Sequence, residues 1–60
     1  MNVKNIREQL LLTQKEFAEE LSISINTVRT WEGGVSKPSF KNRRKILDLC
    51  LKHNIKMEEH

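Results

Sequence analysis

A chain of 60 residues has room for one domain with a small, marginally stable core, which leaves no space for a catalytic cleft with its own supporting shell. Hydrophobic residues make up 37% and charged residues 32%, a ratio that suits helices with one buried face and excludes a membrane span of about 20 consecutive apolar residues. The formal charge of +3, from 11 basic and 8 acidic residues, is unevenly placed. Between Ser24 and Lys45 stand Arg29, Lys37, Lys41, Arg43, Arg44 and Lys45 against Glu32 alone, whereas Glu8, Glu16, Glu19 and Glu20 come earlier. A polyanion would meet the later part, although a solvated helix face has the same composition.

In chain order, Val3, Ile6 and Leu10 recur at spacings of three and four and predict a first helix from about Asn2 to Leu10. Arg7 shares part of that face, which by itself reads as a snorkelling surface arginine. Thr13 followed by Glu16 is a capping box, with Leu12 and Phe17 placed as its hydrophobic staple. A second helix from Gln14 to Leu21 then turns Phe17, Ala18 and Leu21 inward. Ala18 is small where two helices must approach closely. Only Ser22 and Ile23 separate Leu21 from the next cap, Ser24, so the corner is tight.

The third helix, Ile25 to Glu32, separates its faces cleanly. Val28 and Trp31 form the inner pair with Thr27 beside them, and Trp31 is read as core rather than as a base-stacking aromatic. Ile25, Asn26, Arg29 and Thr30 are left on the outer face. A side-chain amide can pair with adenine, a guanidinium with guanine and an apolar branch with a thymine methyl. Gly33 and Gly34 end the helix, one of them as a left-handed cap. After the loop Val35 to Pro38, Ser39 caps a fourth helix from about Phe40 to His53, with Phe40, Ile46, Leu47, Cys50 and Leu51 as its expected buried face. The expected domain spans 1–54, and residues 55–60 read as a frayed tail. Cys50, the single cysteine, cannot form an internal disulfide and reads as a small buried hydrophobe. With no apolar leader at Met1, it points to a reducing cytoplasm. His53 and His60 have no companions at metal-ligand spacing.

The residues Leu12, Thr13, Gln14, Phe17, Ala18, Leu21, Ile23, Ser24, Thr27, Val28, Trp31, Glu32 and Gly34, as they stand, give the chain a resemblance to the Cro/repressor (Xre-like) helix-turn-helix DNA-binding family. The resemblance runs from about Val3 to Cys50. It implies an all-α lambda repressor-like fold, a small bundle of four helices or at most five, with the helix-turn-helix at 14–32. It also implies sequence-specific binding of double-stranded DNA by a transcriptional regulator whose third helix enters the major groove. Ile25, Asn26, Arg29 and Thr30 would read bases. Gln14, Ser24, Thr27, Lys37, Ser39, Arg43 and Arg44 would hold the DNA backbone. Arg7 and Glu32 would form a structural ion pair. Leu11 and Ser22 stand where the family usually has glycine, so each then needs a positive φ. A protein-interaction or antitoxin-like module on the same fold is the alternative. No cofactor, metal, small-molecule substrate or enzymatic activity is expected, while a homodimer on DNA or an additional domain is compatible with the pattern.

Overall fold

In the computed structural model, which describes residues 1–55, local side-chain chemistry starts every helix. The order is α1 (Val3–Gln9), α2 (Gln14–Leu21), α3 (Ile25–Glu32) and α4 (Phe40–Lys52), with no strand among the described residues. Asn2 lies outside α1 as its cap, its Oδ1 accepting from the Asn5 amide at 3.0 Å. Both halves of the Thr13 capping box are made: Glu16 N–H donates to Thr13 Oγ1 at 3.1 Å, and Thr13 N–H to Glu16 Oε1 at 2.9 Å. Ser24 and Ser39 cap α3 and α4 by accepting from the Asn26 and Asn42 amides at 3.1 and 3.3 Å.

The helices also end alike. Each is followed by one residue in the left-handed region: Leu11 (φ 59°), Ser22 (φ 57°), Gly34 (φ 76°) and Asn54 (φ 57°). The next residue's amide then reaches back to a carbonyl five positions earlier: Leu12 to Arg7 (3.2 Å), Ile23 to Ala18 (3.0 Å), Val35 to Thr30 (2.9 Å) and Ile55 to Cys50 (2.8 Å). This is the Schellman closure, and it commonly seats the following apolar residue against the core. Leu12, Ile23 and Ile55 are seated so, while Val35 is exposed. Three of the four stops therefore carry a side chain through a backbone region that favours glycine.

The core is built from Val3, Ile6 and Leu10, from Phe17, Ala18 and Leu21, from Val28 and Trp31, and from Ile46, Leu49 and Cys50. On α4 it departs from the expected face. Phe40 is 70% and Leu51 73% exposed, Leu47 is half-buried, and Leu49, absent from the expectation, is in the core. The reason is helical geometry. With 3.6 residues per turn, Phe40 and Leu51 lie about 120° and 140° around the helix from Ile46, whereas Ile46, Leu49 and Cys50 share one stripe. Phe40 instead lies beneath the Arg43 guanidinium, 5.9 Å from its ring centre. Ile55, assigned to the tail by the sequence reading, packs on the core. Residues 56–60, the remainder of that expected tail with His60, lie outside the described residues. Cys50 is buried, and loss of hydration pushes its thiol pKa up. Lys45 reaches across from α4 and donates to the Leu21 carbonyl at 3.3 Å, satisfying an end group of α2.

Candidate nucleic-acid interface

The inner face of α3 is locked by packing and by a polar network. Val28 and Trp31 are buried. At the end of the helix, Arg7 grips Glu32 with two donors, Nε to Oε2 at 2.7 Å and Nη2 to Oε1 at 3.1 Å. Its Nη1 donates to the Leu12 carbonyl at 2.9 Å. The Gln14 amide adds a bond to Glu32 Oε1 at 3.2 Å. Exposure of the two charged side chains is only 14% for Arg7 and 7% for Glu32. The hydrogen bonds from Arg7 hold the Glu32 carboxyl below its ordinary pKa; burial opposes this, and Gln14 adds to it. One carboxylate thus joins α1, α2 and α3. The sequence reading names Arg7 and Glu32 but assigns Gln14 to the DNA backbone, missing its bond to a residue 18 positions away, which no local spacing signals.

The outer face of α3 carries Asn26 and Arg29, exposed and almost one turn apart. Among the described residues neither side chain has a hydrogen-bonding partner. Two other expected readers are placed differently. Ile25 is half-buried and packs on the core, so it is not the freely exposed branch that the sequence suggests. Thr30 is half-buried too, and its hydroxyl donates to the Thr27 carbonyl at 2.8 Å while lying 3.0 Å from Ser36 Oγ.

Of the residues expected on the backbone, Lys37 and Arg44 are exposed, and Thr27 is half-buried. The Ser24 and Ser39 oxygens accept their helix-cap amides, which leaves each hydroxyl proton free to donate outward. Arg43 is exposed above Phe40. Lys45, part of the same basic run, is turned to the Leu21 carbonyl instead. Among the described residues no group of three or more His, Cys, Asp or Glu could hold a metal ion, and no helix is long and apolar enough to cross a membrane.

Two eight-residue helices meeting at the Ser22 corner, the second buried on one face and bearing amide and guanidinium groups on the other, make a helix-turn-helix. The helix-turn-helix family matches residues 3–59, and the chain belongs to it, among the Xre/Cro-like members. The family is one of DNA-binding regulators and is typically non-enzymatic. A similar protein is the type II methyltransferase M.SsoII of Shigella sonnei, 41% identical over 49 residues, which cover 77% of this chain. The chain spans 13% of the length of that relative. No solved structure matches significantly.

Proposed function

We propose that this domain binds double-stranded DNA sequence-specifically as a cytoplasmic transcriptional regulator, with α3 in the major groove. The observation that carries this reading is the free outer face of α3: Asn26 and Arg29 lie exposed on a helix whose other face is fixed to the core. An amide suits adenine and a guanidinium suits guanine, each pair discriminating by about 1–3 kcal/mol. Lys37, Arg44 and the Ser24 and Ser39 hydroxyls would take phosphates, with Arg43 and Thr27 at the margin. Gln14 keeps one amide N–H for a phosphate while the other is held by Glu32. One such unit makes few contacts, so a tight complex requires two half-sites about one helical turn apart, read by a pair of copies that forms on the DNA. The chain acts without chemistry of its own, and the methyltransferase relative supports only the presence of this module within a larger protein.

Selection from a random duplex library, followed by sequencing, tests the reading. The expected result is one enriched half-site motif whose affinity falls steeply with salt. A second reading is favoured by the exposed Phe40 and Leu51 on α4, which would suit an antitoxin-like or other protein-binding module. It predicts no enriched motif and a salt-insensitive protein complex.

A further inference from the structure

Thr30 is tied to its surroundings through both its backbone carbonyl and its side chain. Its carbonyl accepts the amides of Val35 (2.9 Å) and Ser36 (3.3 Å). Its hydroxyl contacts the Thr27 carbonyl (2.8 Å) and Ser36 Oγ (3.0 Å). A threonine hydroxyl has one proton. Because that proton goes to Thr27, the contact with Ser36 requires Ser36 to donate and Thr30 to accept. Ser36 is therefore held through both its amide and its hydroxyl by one residue of α3. Lys37 follows immediately, and Ser39 three positions on.

We infer that Thr30 is a positioning residue: it latches the loop carrying Lys37 and Ser39 to α3, so that phosphate grip and base reading share one rigid frame. The role rests on the DNA-binding reading above. It departs from the reading of Thr30 as a base contact, because the single proton it could offer to a base is already given to Thr27. An unlatched loop would have to be ordered at each binding event, and that cost falls equally on every DNA sequence.

The test uses Thr30→Val, Ser36→Ala, their double variant and Thr30→Ser. Each is titrated with a selected and a scrambled duplex at several salt concentrations, alongside thermal melting and amide exchange. Thr30→Val and Ser36→Ala are each expected to weaken both duplexes by the same factor, about 2- to 10-fold, the net worth of one neutral hydrogen bond. The double variant is expected to be no weaker than the worse single, Thr30→Ser to restore binding, and Ser36 amide exchange to speed up in Thr30→Val. A loss confined to the selected duplex would overturn the inference in favour of base contact, and additive losses would dissolve the latch. A binding loss that disappears once the folded fraction is corrected for would reduce Thr30 to a stability role and also overturn it. Wild-type protein that binds no duplex would overturn the DNA-binding reading itself. Unchanged Ser36 exchange in Thr30→Val would overturn the latch alone.

Discussion

Separating Arg7 from Glu32 measures what the polar network contributes to the domain. Breaking an exposed pair costs 0 to about 1 kcal/mol, whereas orphaning one member of a buried pair costs about 3–5 kcal/mol. At 14% and 7% exposure, with three hydrogen bonds on the carboxylate, this pair lies nearer the buried case. Arg7 still touches solvent, so about 2 kcal/mol is expected for Arg7→Ala. A 60-residue chain at about 0.05–0.15 kcal/mol per residue holds only about 3–9 kcal/mol in all. Each kcal/mol moves Tm by about 4–8 °C at this size, which gives a fall of about 8–16 °C. The pH dependence follows from the depressed Glu32 pKa: its contribution is fully present above the ordinary value near 4.5 and is lost as pH falls through the lower folded value. Glu16, held low by the Thr13 amide, contributes an acid limb of the same sign, so Glu16→Gln serves as background. Melts followed by circular dichroism from acid to neutral pH, on Arg7→Ala, Glu32→Gln and both together, read the coupling. Additive single losses, or an acid limb unchanged by Glu32→Gln, would refute the reasoning.

Leu11→Gly and Ser22→Gly should each raise stability by about 0.5–1 kcal/mol, because both residues sit at φ near 60° with exposed side chains; a lower Tm would mean that the left-handed stops carry no strain. Asn26→Ala and Arg29→Ala should cost about 1–3 kcal/mol on a selected duplex and little on a scrambled one. Lys37→Ala and Arg44→Ala should weaken both and flatten the salt dependence by close to one unit each, as titration at several salt concentrations would show. Phe17→Ala should cost about 3–5 kcal/mol and leave the chain largely unfolded in a denaturant titration, whereas Phe40→Ala should stay within about 0.5 kcal/mol of wild type.

Much of the backbone is legible from short-range signals. The caps Thr13, Ser24 and Ser39 act within three residues, so α2 and α3 are expected and found with the same limits. The positive φ at Leu11 and Ser22 is legible from the glycines they replace. On α4 several apolar residues compete for burial, and the expected face includes Phe40 and Leu51 but not Leu49, although only Leu49 shares the stripe of Ile46 and Cys50. Gln14, Thr30 and Lys45 are illegible for another reason. Each is a polar residue with an apparent surface role, and its partner, Glu32, Ser36 or the Leu21 carbonyl, is set by packing or loop path rather than by helical spacing.

The α3 helix is only eight residues long. Such a helix is all ends: its first four N–H and last four C=O groups have no partner within it, and a peptide of this length is essentially unstructured in water. The proposed reading head therefore cannot be cut out or transplanted as a free peptide. Its shape is on loan from Phe17, Trp31, Arg7 and the Thr30 loop. A genetic screen for lost DNA binding would accordingly recover lesions scattered through the interior as readily as at Asn26 or Arg29, and only a measurement of the folded population would tell the two kinds apart.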